Sequence, residues 1–142
     1  MTFTLDPQLE KDSVPVVDLE LSHVRLSKNA AFPWIILIPK REAMIEIIDL
    51  DETDRAVLLN EIVQASQILK NAFQPKKLNV ANIGNRVSQL HVHLVARYED
   101  DEAWPGPIWN SGVSSDYDDK ALQERLAVLQ GAFNDLIVGS AG

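Results

Sequence analysis

The sequence contains no cysteine among its 142 residues. Disulfide bridges, thiolate metal sites and a cysteine nucleophile are therefore excluded. A chain without cysteine fits the cytosol, so we expect a cytoplasmic protein. Nucleophilic or acid–base chemistry would then fall first to the three histidines, which are His23, His91 and His93.

Long apolar runs and positive charge are also scarce. The longest apolar run, residues 30–39, is too short to span a bilayer, and residues 1–6 lack the basic and apolar pattern of a signal peptide. The formal net charge is −8, so the chain lacks the excess of basic residues that general nucleic-acid binding needs. A small anion can still bind in a locally positive pocket. We therefore expect a small-molecule ligand, with neither a membrane nor a nucleic acid as partner.

The length and composition are typical of a single domain spanning residues 1–142, and no linker or repeat interrupts it. Residues 1–15 are polar and lead into the fold. Apolar residues at three- and four-residue spacing predict two helices, over 51–73 and 118–138. Four segments predict strands: 16–27, 34–38, 78–83 and 89–97. The order of these elements predicts an α+β fold, with a mainly antiparallel sheet of about five strands flanked by two helices.

Two histidines lie two residues apart in the segment from Gln89 to Arg97. Alternate residues of a strand share one face, so Gln89, His91, His93 and Arg97 should point together toward a ligand. The residues between them should be buried behind the cleft: Leu90, Val92 and Leu94. Imidazole transfers protons near neutral pH and can attack phosphorus. By itself such a pair is also compatible with a sheet surface, or with a metal site completed by a carboxylate.

A wider segment around the pair resembles the signature of the histidine triad (HIT) superfamily. Residues 82–97, NIGNRVSQLHVHLVAR, resemble a glycine-containing loop followed by His-φ-His-φ-His-φ-φ, where φ is apolar, with Gln89 at the first histidine position. Residues 36–41, ILIPKR, resemble the apolar strand that ends in Pro-Lys/Arg in this family. The resemblance covers roughly residues 15–110. The chain is most similar to a bacterial diadenosine-tetraphosphate-hydrolase-like group, in which Gln-Leu-His-Val-His is followed by Trp-Pro-Gly-Pro.

The resemblance implies a HIT-like fold and a nucleotide hydrolase or transferase that cleaves at the α-phosphorus. Its substrate would be a nucleoside phosphoester, a dinucleoside polyphosphate or a phosphoramidate. His91 would form a covalent nucleotidyl intermediate and His93 would hold the phosphate. Gln89 can donate and accept hydrogen bonds but cannot become positively charged. A nucleotide-binding module with weak or lost catalysis is the alternative.

The resemblance also implies a homodimer, with no metal or cofactor in the protein and Mg²⁺ only as the companion of a polyphosphate. Asn29 would contact the ribose, and Asn82 would lie near the nucleophile, with Asn79 as its competitor. Three further residues are candidates for phosphate binding: Asn85, Ser88 and Arg97. Trp104 and Trp109 flank a proline-rich loop and could stack on a base, although core or interface packing is favoured.

Overall fold

A computed structural model describes residues 3–141. The strands are β1 (Ser13–Asp18), β2 (Ser22–Ser27), β3 (Trp34–Pro39), β4 (Lys77–Ala81) and β5 (Val92–Arg97). The helices are α1 (Pro7–Asp12), α2 (Glu52–Phe73) and α3 (Asp119–Ala141), and a short 3-10 turn lies at Ile47–Asp49. Among the described residues, no helix is long and apolar enough to cross a membrane.

The five strands form one antiparallel sheet in the order β1-β2-β3-β5-β4. The motif strand β5 is therefore interior, and His93 lies opposite Ile36 on one side and Ala81 on the other. This architecture confirms the predicted α+β fold, including its antiparallel sheet and its two long helices.

One face of the sheet forms the main core with α2 and α3. Leu90, Val92 and Leu94 are buried in this core, as the alternation predicts. Helix α2 begins after Asp51, whose side chain accepts a hydrogen bond of 2.7 Å from the backbone N–H of Asp54. Burial of the apolar stripes of both helices leaves the opposite face of β5 available for polar side chains.

Among the predicted segments, three differ most from the structure. Residues 16–27 form two strands with a turn between them, because the buried carboxylate of Glu61 on α2 accepts hydrogen bonds of 2.9 Å from the N–H groups of Leu21 and Ser22. Residues 1–15 include α1 and the start of β1 rather than a plain polar lead-in. The motif strand begins at Val92, three residues later than expected.

Arg97 shares the strand face of His93 but does not reach a ligand cleft. Its guanidinium donates hydrogen bonds of 2.8 and 3.0 Å to Asp101 and one of 2.8 Å to the side-chain oxygen of Asn79. The rings of Phe32 and Trp104 lie 5.6 and 5.7 Å from the guanidinium carbon. The residue is 1% exposed, so the expected placement of Arg97 at the substrate is corrected to a structural one.

Replacing Arg97 with Met should strongly destabilise the fold. The Asp101 side chain is only 6% exposed and would keep a buried charge without its partner. Breaking a buried ion pair typically costs about 3–5 kcal/mol. Urea unfolding followed by circular dichroism measures the loss. Lys120→Met, at an exposed i,i+4 pair with Glu124 on α3, should cost less than about 1 kcal/mol. Equal losses in the two variants would contradict the assignment.

Candidate active site

A cleft of about 470 Å³ opens on the face of the sheet that carries His93. His91 and His93 both line it, and they are only 4% and 8% exposed. The other walls come from α1, β3, residues 83–87 and residues 108–110. The two imidazoles are therefore largely withdrawn from bulk water, yet they border a space that can hold a small molecule.

His91 lies immediately before β5, and its ring is fixed by the backbone. Its Nδ1 donates a hydrogen bond of 2.7 Å to the carbonyl oxygen of Gln89. A carbonyl oxygen can only accept, so Nδ1 carries the proton and Nε2 keeps its lone pair. An imidazole in this tautomer presents a nucleophile or a base through Nε2.

His93 is held in the opposite sense. The indole N–H of Trp34 donates a hydrogen bond of 3.0 Å to Nδ1, which leaves the ring proton on Nε2. Burial, with a contribution from His91, lowers the pKa of His93 to about 3. His93 is therefore a neutral hydrogen-bond donor at physiological pH. The ring centroids of His91 and His93 are 4.8 Å apart, so the two rings with their opposite tautomers are neighbours in the cleft.

The side chain of Gln89 does not line the cleft, contrary to expectation. Its Oε1 accepts a hydrogen bond of 2.8 Å from the N–H of Asp6, and its Nε2 donates one of 2.8 Å to the carbonyl of Thr4. Because β5 begins only at Val92, strand alternation does not extend back to this residue. The Gln89 amide is directed at the N-terminal segment, whereas its carbonyl holds His91.

The asparagines and Ser88 separate into two groups. Asn29 and Asn85 line the cleft, whereas Asn82 and Ser88 are exposed residues outside its lining. The Asn29 oxygen accepts from the N–H groups of Ala31 and Ser115, at 3.0 and 3.2 Å. Asn29 therefore secures neighbouring loops while it borders the cleft. Asn79, the competitor of Asn82 for the position near the nucleophile, accepts a hydrogen bond from Arg97 instead.

The two loop tryptophans have different environments. Trp104 packs on the guanidinium of Arg97, at 5.7 Å. Trp109 lines the cleft, with its ring centroid 5.3 Å from that of His93 and 6.3 Å from that of Trp34. Its indole nitrogen is buried and has no hydrogen-bond partner among the described residues.

Sequence reasoning missed several residues of the cleft lining, of which Trp34 and Arg86 have the clearest chemical roles. Trp34 was assigned only to a buried strand, and the signal that could have found it is that β3 pairs with the motif strand. Arg86 contributes the only Lys or Arg side chain in the cleft lining, and it forms no hydrogen bond or ion pair with any residue in 3–141. Its position in the glycine-containing loop before the motif was the available signal. Within the same described range, no three His, Asp or Glu side chains are arranged to hold a metal ion.

Comparison with known proteins decides the family. Residues 8–100 match the sequence profile of the HIT domain. The chain belongs to the HIT family. Proteins of this family are generally nucleotide-binding hydrolases and transferases. No match was found among curated proteins.

Solved structures of HIT proteins are similar over nearly the whole chain. A histidine triad protein from Bradyrhizobium japonicum is 39% identical, with 93% of this chain and 98% of that chain covered and a TM-score of 0.91. One from Sinorhizobium meliloti is 37% identical, with 92% and 97% covered and a TM-score of 0.89. The diadenosine triphosphate hydrolase of Plasmodium falciparum, at 16% identity, covers 92% of this chain and 80% of its own, and its TM-score of 0.59 supports the fold alone.

Replacing Trp34 with Phe should release the tautomer of His93. The ring packing is kept, but the donor to Nδ1 is lost, so both neutral tautomers should become populated. Two-bond ¹H–¹⁵N spectra should show a single Nε2–H tautomer in the wild type, without titration between about pH 5 and pH 8, because the pKa of His93 is about 3.

Trp109→Phe is the matched control for this experiment. The indole N–H of Trp109 lies beside the same imidazole but makes no hydrogen bond to it. Removing this N–H should therefore leave the tautomer of His93 fixed. A wild-type His93 that becomes protonated near pH 6.5 would contradict the assignment.

Proposed function

We propose that this protein is a nucleotide hydrolase or transferase that reacts through a covalent nucleotidyl-His91 intermediate. The observation that carries the proposal is the opposite protonation of the two imidazoles, with a lone pair on Nε2 of His91 beside a proton on Nε2 of His93. A nucleophile next to a neutral donor suits attack on phosphorus, where negative charge develops on the phosphoryl oxygens.

The chemical steps balance with water as the only co-reactant. Nε2 of His91 attacks the α-phosphorus and forms a P–N bond, while the bond to the leaving group breaks and its electron pair departs with that group. The proton on Nδ1 of His91 stays hydrogen-bonded to the Gln89 carbonyl, and this carbonyl stabilises the ring as it becomes cationic. His93 donates to a non-bridging oxygen. Water then attacks the same phosphorus and forms a P–O bond, while the P–N bond breaks and its electron pair returns to Nε2 of His91. One proton of the water passes to solvent, which leaves a nucleoside monophosphate and neutral His91.

Arg86 favours an anionic leaving group. An unpaired guanidinium in the lining of a cleft of an otherwise acidic protein can bind the phosphates beyond the scission point. We therefore propose a dinucleoside polyphosphate or a related nucleotide anhydride as substrate, in line with the diadenosine-tetraphosphate-hydrolase-like group. Mg²⁺ would enter only with such a polyphosphate, and the protein itself would supply no cofactor.

A nucleotide-binding module with weak or lost catalysis is the second candidate. It is favoured by the position of Gln89, which provides no ionisable group at the first triad position and directs its amide away from the cleft. The two candidates differ in turnover, because both would bind nucleotide.

His91→Ala should abolish turnover, because no second nucleophilic group is placed at its position. Wild-type protein mixed with diadenosine tetraphosphate should give an acid-labile nucleotide adduct on His91, seen by mass spectrometry, that is chased into monophosphate. His93→Ala should retain the adduct but lose on the order of 10²–10³ in rate.

His23→Gln serves as the control, because His23 pairs with Asp18 and Arg25 outside the cleft lining. It should leave the rate unchanged. Turnover of His91→Ala at the wild-type rate would refute the mechanism, and nucleotide binding without any adduct would favour the binding module.

Arg86→Gln should discriminate between substrates. The value of kcat/KM for diadenosine tetraphosphate should fall roughly 10- to 100-fold, as expected for loss of a hydrogen-bonded charge. For an adenosine phosphoramidate with an uncharged leaving amine it should change little, and Arg86→Lys should restore part of the loss. Arg41→Gln is the control, since Arg41 pairs with Asp54 outside the cleft lining. Equal effects on both substrates would show that Arg86 does not recognise the leaving group.

We also propose a cytoplasmic homodimer, on the basis of the family resemblance and the absence of cysteine. The exposed apolar residue Val80 on edge strand β4 is compatible with a covered surface. Sedimentation as a monomer at micromolar concentration would count against the dimer.

A further inference from the structure

We propose that Gln89 is a positioning residue that fastens the N-terminal arm, residues 3–12, to the motif and thereby builds one wall of the nucleotide cleft. This inference rests on the proposed function for its substrate, but its structural part does not. Gln89 would then control how tightly a nucleotide binds, rather than how fast His91 attacks.

The amide of Gln89 holds the arm by a pair of hydrogen bonds, which we call the clip. It accepts from the N–H of Asp6 and donates to the carbonyl of Thr4, both at 2.8 Å, across more than 80 residues of sequence. The two backbone groups are two residues apart, so one side chain satisfies a donor and an acceptor as a neighbouring strand would. Only one orientation of the amide satisfies both bonds.

The clipped arm continues directly into the wall of the cleft. Phe3 precedes the two hydrogen-bonded backbone groups and Leu5 lies between them, and both side chains pack into a small apolar cluster with Leu9 of α1 and Ile36 of β3. Leu9 is buried and lines the cleft, as does Asp12 at the end of α1. Since α1 has only six residues, contacts with the rest of the fold determine its position. Its C-terminal end accepts hydrogen bonds from Arg25 and Lys28, whereas its N-terminal side relies on this packing and on Gln89.

The same residue connects this wall to the nucleophile. The Gln89 carbonyl holds Nδ1 of His91 at 2.7 Å, while its amide holds the arm. Trp34 belongs to the edge of the apolar cluster and also orients His93. Hydrogen bonds and packing contacts thus link the arm to Gln89 and to both imidazoles, and these contacts fix the cleft wall relative to the reacting atoms.

An imidazole at position 89 could not replace the clip. Its two nitrogens diverge from a small ring, whereas the amide presents its oxygen and nitrogen side by side on a longer stem. When protonated, an imidazole would also offer two donors and no acceptor for the N–H of Asp6. The glutamine is therefore explained by the arm it holds.

The test compares Gln89→Met and Gln89→His with Gln67→Met. Gln67 is an exposed glutamine on α2 that bonds Asn71, outside the cleft lining. In both Gln89 variants, KM for diadenosine tetraphosphate and the calorimetric Kd for AMP should rise roughly tenfold, as expected for loss of two hydrogen bonds. The rate of adduct formation at saturation should change less than about twofold, because His91 keeps its carbonyl partner. Gln67→Met should change none of these values.

Hydrogen–deuterium exchange provides a readout that needs no turnover. The amides of residues 3–12 should exchange faster in both Gln89 variants, and at the wild-type rate in Gln67→Met. Unchanged exchange in the arm would overturn the proposal, as would a fall in the adduct rate with KM unchanged. Faster arm exchange in a protein that binds no nucleotide would refute the proposed function while retaining the clip.

Discussion

The antiparallel pairing of β3 with β5 determines the positions of the groups in the cleft. This register places Ile36 opposite His93 and brings Trp34, near the start of β3, within hydrogen-bond distance of the imidazole. A shift by one residue would turn His93 into the core and expose Leu94, because side chains alternate across a strand. The buried apolar side chains of β5 therefore hold its opposite face, which carries His93, toward the cleft.

Two neutral hydrogen-bond partners, rather than charged ones, fix the tautomers of His91 and His93. A backbone carbonyl fixes the proton of His91, and an indole N–H fixes the proton of His93. A carboxylate partner would raise the pKa of either imidazole, whereas burial lowers the pKa of His93 to about 3. His93 therefore stays a neutral donor beside the ring of His91 within a cleft where both side chains are largely shielded from water, and hydrogen bonds to developing charge are strong in such surroundings.

Strand periodicity and helix spacing predicted the features that depend on local sequence. Burial of Leu90, Val92 and Leu94 and the two long helices followed from repeated apolar spacing. The errors arise where a contact with a residue distant in sequence determines the local structure. The turn between β1 and β2 depends on Glu61, about 40 residues away in sequence. Arg97 points to the expected face, but Asn79 and Phe32, which are distant in sequence, enclose it together with Asp101 of the following loop.

The roles of Gln89 depend on both its local sequence position and a contact that is distant in sequence. Its main-chain role depends on its place just before the strand, whereas its side-chain role depends on an arm that begins more than 80 residues earlier. A motif comparison sees only the missing histidine and therefore suggests weakened chemistry. The contacts suggest instead that two tasks are separated at this position. The carbonyl, which any residue would supply, orients His91, and the amide, which few side chains could replace, holds the N-terminal arm that lines the cleft.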